Sequence, residues 1–182
     1  MDLTEKKVSS QLIYQGVVST VTVDRVQLPN GTLATREVVR HPDGVAVVAL
    51  DELERAVLVT QYRYPLGRTL LEIPAGKLER GEDPMKAAAR ELEEEAGVRA
   101  EKLTLLFVMY PSPGYTDEKI YIYRAEKGTR AAAHPDEGEF LTAEVVPAEK
   151  VKEMLEAGEI KDAKTIIALQ AYFLSEKSGK GY

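Results

Sequence analysis

The 182-residue chain contains no cysteine, so disulfides, thiolate metal sites and cysteine nucleophiles are excluded at once. Tryptophan is also absent, and Asn30 is the single asparagine. With 30% charged residues, this is a profile found in heat-stable proteins. Only two histidines are present; His41 and His134 each precede a proline in a turn, and neither is expected to do chemistry. Positive charge is in deficit, with 24 Lys and Arg against 30 Asp and Glu and a formal net charge of −6. Nonspecific binding to nucleic acid or an anionic membrane is therefore not expected. No signal-peptide pattern opens the chain and no apolar run approaches a membrane span, so a soluble, cytoplasmic protein is expected. An acidic chain can still take an anionic substrate if metal ions and a few local arginines reverse the field.

Hydrophobic residues make up 44% of the chain, enough for one real core. Residues 1–10 are polar and are expected to be loose. Two β-rich runs, 17–28 and 32–40, flank Pro29-Asn30-Gly31, a strong hairpin signal. The hairpin reads either as an edge of the main sheet or as an arm. Residues 45–50 are almost wholly apolar, as in a strand buried on both faces. Further strands are predicted over 55–64, 70–73, 102–110, 119–125 and 140–146, with a polar loop over 126–139. Pro147 opens a helix to about residue 157, and Asp162 caps another to about 174, before a frayed tail. Mixed strands with one helix in mid-chain and two at the end predict an α/β fold, a mixed sheet sandwiched between helices.

The most informative stretch is Gly76 to Val98, GKLERGEDPMKAAARELEEEAGV. Asp83 and Pro84 form a helix start, and Gly97 a stop. Met85, Ala88, Ala89, Leu92 and Ala96 recur at helical spacing and are predicted to be the buried stripe. Glu91, Glu94 and Glu95 share a different face in this reading. Like charges at that spacing cost a few tenths of a kcal/mol, roughly, per pair. Arg90 can offset Glu94, whereas Glu91 and Glu95 have no such partner within the predicted helix. A hard divalent cation would supply the missing charge.

Gly76, five residues, Glu82, seven residues, Arg90-Glu91-Leu92, one residue, Glu94-Glu95, one residue, Gly97-Val98 resembles the complete signature of the Nudix hydrolases. A chance match per window is on the order of 1 in 10^8. The resemblance implies the Nudix fold over residues 44–176, preceded by an arm over 1–43 and followed by a flexible tail over 177–182. It implies Glu91 and Glu95 as metal ligands, with Glu94 a ligand or near neighbour and the Ala75 carbonyl completing the shell. Arg90 would orient the glutamates, and Glu82 would either hold the loop against the helix or support the metal ligands without touching the metal. The ion would be Mg2+ or Mn2+, with more than one per site. A further carboxylate is wanted from the acidic loop Asp136-Glu137-Gly138-Glu139; Glu137 aligns with the proposed base and Glu139 with an additional metal ligand.

Substrate choice must come from outside this signature. Ser112-Pro113-Gly114, with Pro113 fifteen residues past Val98, resembles the marker of the ADP-ribose pyrophosphatase subgroup. Members of that subgroup carry an N-terminal β arm and form dimers with it, so a homodimer is implied. Glu118 matches a ribose-binding position and Arg63 a phosphate-contacting arginine. Tyr14 is assigned to the adenine, which needs an aromatic face. The implied reaction is Mg2+-dependent hydrolysis of ADP-ribose to AMP and ribose 5-phosphate. Tyr115 keeps a second substrate class in view, since a tyrosine near this position marks enzymes of dinucleoside polyphosphates. A nucleotide sugar such as GDP-mannose is a third candidate substrate. A non-catalytic domain that senses a nucleotide would be the competing function of a different class.

Overall fold

A computed structural model describes residues 2–136 and 138–178. The elements are β1 (Lys6–Gln15), β2 (Thr20–Gln27), β3 (Leu33–Arg40), β4 (Gly44–Ala49), β5 (Arg55–Arg63), β6 (Arg68–Glu72) and β7 (Ala75–Lys77). They continue with α1 (Pro84–Ala96), β8 (Val98–Met109), β9 (Ile120–Arg130), β10 (Leu141–Pro147), α2 (Ala148–Glu156) and α3 (Ala163–Ser178). The chain forms two compact units, Met1–Asp43 with Tyr110–Lys119, and Gly44–Met109 with Ile120–Tyr182. No helix among the described residues is long and apolar enough to cross a membrane.

The first unit is an antiparallel sheet in the order β1-β2-β3. Its β2–β3 turn follows the Asn-Gly signal: Gly31 has φ +86°, and the Leu28 N–H donates to the Thr32 carbonyl at 2.8 Å. Residues 1–10 are not uniformly loose, because β1 begins at Lys6 and pairs along β2. Lys7 and Ser10 reach the buried Asp24 on the neighbouring strand, a partner that polar composition alone does not reveal. The Tyr110–Lys119 segment is stitched to the end of β3. The Val39 N–H donates to the Tyr115 carbonyl at 2.8 Å, and Arg40 pairs with Asp117 at 2.7 Å.

In the second unit two sheets run in the orders β10-β5-β6 and β7-β4-β9-β8, the latter mixed because β4 and β9 are parallel. Every residue of β4 is buried. Its alternating side chains serve two different cores. Val45, Val47 and Ala49 pack with Ala87, Ala88 and Leu92 of α1. Ala46 and Val48 pack with Val151 of α2 and Ala168 and Leu169 of α3. The apolar run thus reports a strand with helices on both faces. β9 extends through Arg130, so residues 126–130, predicted as loop, complete a long pairing with β8. The last helix likewise continues to Ser178, beyond the predicted end.

Helix α1 forms where its caps predict. The Asp83 carboxylate accepts from the Met85 and Lys86 N–H groups at 3.0 and 3.1 Å, Pro84 occupies the first turn, and Gly97 closes the helix with φ +60°. The buried stripe differs from the predicted one. Met85 and Ala89 face solvent, and the inward residues are Ala87, Ala88, Glu91, Leu92 and Glu95. Two of the three carboxylates are therefore part of the buried face rather than on a separate one. Room for them comes from strand β7.

Candidate active site

Gly76 lies within β7, and its missing side chain is what seats Glu91. A Cβ there would stand 2.0 Å from the Glu91 carboxyl carbon. Beside it the Ala75 N–H donates to Glu95 Oε2 at 2.8 Å, so strand β7 orients the second carboxylate through its backbone. Glu91 and Glu95 are 8% and 3% exposed. Burial pushes the Glu91 carboxyl up to about 7 against the pull of Arg90, with Glu94 and Glu139 adding to the rise. Burial also pushes Glu95 up to about 7; the Ala75 N–H opposes the rise, and the charges of Glu91 and Glu139 add to it.

Arg90 sits among the remaining acids. It donates from Nε and Nη2 to Glu82 at 3.1 Å each, and from Nη1 to Glu91 at 2.8 Å and Glu94 at 2.9 Å. Glu91 thus has a cation next to it in sequence, a partner that i,i+4 spacing does not count. Glu82 in turn accepts from the Glu79 N–H at 3.0 Å, tying the β7–α1 turn to the helix. Glu82 first, then Glu91 and Glu94, raise the Arg90 pKa further above its ordinary value. Among the described residues no three carboxylate or histidine side chains already converge as a metal site. The donor chemistry still suits a hard divalent cation: two buried carboxylates one helical turn apart, a third acid nearby, and less positive charge than negative.

Arg63, at the end of β5, forks onto Glu72 of β6, with Nε and Nη2 each donating at 2.7 Å. Glu72 is 1% exposed, and Lys164 of α3 also pairs with it. Sequence reasoning singles out neither Glu72 nor Lys164. For Glu72 a signal exists, a lone charge inside the apolar run Leu70-Leu71-Glu72-Ile73. Lys164, 92 residues further on, carries none.

The segment that leads into the acidic loop is tied to the end of α1. The Ala131 N–H donates to the Gly97 carbonyl at 2.8 Å and the His134 N–H to the Glu94 carbonyl at 2.9 Å. Glu139 is exposed, and its charge is felt at both Glu91 and Glu95. Glu137, the expected base, lies outside the described residues.

Tyr14, Ser112, Pro113, Gly114 and Glu118 all belong to the first unit. The Tyr14 ring is exposed and folds over Gly16, where a Cβ would be 2.7 Å from it. The Ser112 carbonyl accepts from the Tyr115 and Thr116 N–H groups at 3.2 and 3.1 Å, closing a turn that leaves Pro113 and Gly114 exposed. Glu118 stands 3.4 Å from the His41 ring.

A NUDIX domain model matches residues 40–169, and a nucleoside diphosphate sugar hydrolase N-terminal domain model matches residues 5–39. The chain is 43% identical over 176 residues to an ADP-ribose pyrophosphatase of Bacillus subtilis, covering 96% of this chain and 95% of the relative. It is 42% identical over 174 residues to a methanol dehydrogenase activator of Bacillus methanolicus, covering 94% of each. Its fold matches a crystal structure of an ADP compounds hydrolase with a TM-score of 0.85, at 24% identity over 98% of both chains.

Proposed function

The chain belongs to the Nudix family and is a Nudix pyrophosphohydrolase, and from that premise we propose that it hydrolyses ADP-ribose to AMP and ribose 5-phosphate. Members of the family generally use divalent metal ions, and nucleoside diphosphate sugars are the substrate class that the family supports. The observation that carries the catalytic reading is the buried pair Glu91 and Glu95, seated by Gly76 and the Ala75 amide. Likeness to the Bacillus subtilis enzyme and the Ser112-Pro113-Gly114 turn favour ADP-ribose.

In this reading Glu91, Glu95, Glu139 and the Ala75 carbonyl would hold more than one Mg2+ or Mn2+. Bound metal would supply positive charge to the phosphate oxygens and lower the pKa of a water. Arg90 keeps Glu91 and Glu94 in place, and Glu82 keeps Arg90 and the turn in place. Arg63 contacts a phosphate. Glu137 accepts the proton of the attacking water, whose oxygen bonds to phosphorus as the bridging P–O bond breaks. Tyr14, Ser112, Pro113, Gly114 and Glu118 serve the adenosine and the terminal ribose. Residues 1–43 act as the dimerisation arm of a cytoplasmic enzyme.

The match over residues 5–39 favours a second reading, another nucleoside diphosphate sugar such as GDP-mannose. Purified protein with Mg2+, offered ADP-ribose, GDP-mannose and a dinucleoside polyphosphate, separates the two once products are identified. AMP and ribose 5-phosphate from ADP-ribose are expected. Rapid cleavage of GDP-mannose with ADP-ribose untouched would overturn the substrate assignment.

A further inference from the structure

Glu72 stands at the centre of a linked cluster of charged and polar side chains. Glu72 is a nearly fully buried carboxylate shared by two cations, Arg63 and Lys164. The Lys164 ammonium is itself held on the far side by Asp162 at 3.1 Å. Asp162 is fixed by the first turn of α3, where its Oδ2 accepts from the Thr165 N–H at 2.9 Å and hydroxyl at 2.7 Å. The Thr165 hydroxyl oxygen then accepts from the Ile73 N–H at 3.0 Å. Ile73 is two residues from Ala75, whose amide holds Glu95.

One helix start thus braces two features of the site. The route Asp162–Lys164–Glu72 ends on Arg63, and the route Asp162–Thr165–Ile73 ends beside Ala75. The Arg63 side chain is 38% exposed, whereas those of Glu72 and Lys164 are 1% and 12% exposed. The arginine therefore turns its anchored edge inward and meets solvent with the rest. A planar guanidinium gripped by a bidentate carboxylate has its plane set by that carboxylate. A carboxylate held by one partner can pivot about its own χ angles; a second cation on Oε2 removes that freedom.

We propose that Lys164 is a positioning residue for pyrophosphate recognition, acting through Glu72 on the Arg63 guanidinium. The inference rests on reading Arg63 as a phosphate contact. It predicts that loss of Lys164 weakens substrate binding more than turnover, and that the loss depends on Arg63 being present. A cluster serving only stability would lower the melting temperature without such dependence.

The test is a double-mutant cycle with ADP-ribose at saturating Mg2+, using Arg63→Gln, Lys164→Met and the pair. Lys164→Met is expected to raise KM about tenfold, or about 1.4 kcal/mol, with a smaller change in kcat. Lys164→Arg should restore most of the affinity, and Lys164→Met should add little in the Arg63→Gln background. A wild-type KM in Lys164→Met, or losses that add fully in the pair, would overturn the proposal. A wild-type KM in Arg63→Gln would instead sink the reading of Arg63, and the proposal with it. If wild type cleaves only GDP-mannose, the substrate reading fails and the same cycle is scored on GDP-mannose. Should Lys164→Met show no cooperative unfolding, Lys164→Gln, which keeps a donor for Glu72, takes its place. Failure of both to fold would mean a purely structural cluster and end the proposal.

Discussion

Glu91 and Glu95 are carboxylates in a place where a carboxylate costs free energy, and the acids around them divide by exposure. The buried pair suits a metal-holding role, and replacing either by Gln should weaken Mg2+ binding as well as turnover, as read by metal titration of activity. Glu137 and Glu139 should separate differently. Glu137→Gln is expected to lower kcat by about 10^2–10^4, the range for a lost general base, with Mg2+ affinity unchanged. Glu139→Gln should recover part of its activity at high Mg2+. A wild-type kcat in Glu137→Gln would remove it as the base. Glu72 makes a separate prediction in pH. Burial pushes its carboxyl up, but the Arg63 fork and Lys164 outweigh that, and the net pKa lies below the ordinary 4.5. A carboxyl with a depressed folded pKa contributes stability above its unfolded value and loses it as pH falls through the folded one. Thermal midpoints of Glu72→Gln should accordingly be lower than wild type at neutral pH. The gap should narrow as pH falls below that ordinary value.

At the scale of elements, strand β7 and helix α1 work as a pair. A side chain on Gly76 would have to displace the Glu91 carboxylate, so Gly76→Ala should cut activity by about 10–100-fold, the range for losing a ligand's support. Circular dichroism should still report the helix, since the caps of α1 are untouched. The converse variant, Asp83→Ala, removes the N-cap and should cost about 1 kcal/mol. For a chain of this size that lowers the melting temperature by about 2–4 °C. Activity in Asp83→Ala should survive wherever the protein is folded, which distinguishes helix stability from carboxylate placement.

At the scale of the whole molecule, the first unit exposes more apolar surface than a solitary sheet should. Val8, Leu12, Ile13, Tyr14 and Val17 are all more than half exposed. Edges and faces of this kind are normally covered. The homodimer proposed through residues 1–43 would cover them. Light scattering at micromolar concentration should give twice the mass of one chain, and deletion of residues 1–43 should abolish both the dimer and activity. A monomer by scattering, or full activity after the deletion, would contradict it.

What the sequence by itself determined is what short-range interactions decide. The caps of α1, the Asn-Gly turn and the doubly buried β4 were legible because each depends on neighbours in the chain or on a local period. The Gly76–Val98 signature named Glu91, Glu94 and Glu95 for the same reason: its pattern lies within 23 consecutive residues. Tertiary structure decided the rest, because the deciding partner sits far along the chain. Glu91 faces inward only because Gly76, in another element, leaves room for it. β1 is a strand only because β2 supplies its hydrogen bonds, and the Ser112–Gly114 turn joins the N-terminal unit only because β3 pairs with its flank. Glu72 is held as a buried anion by Arg63 on the paired strand and by Lys164, which returns from 92 residues away. Such pairings are set by packing across the fold, where neither propensity nor periodicity carries a signal.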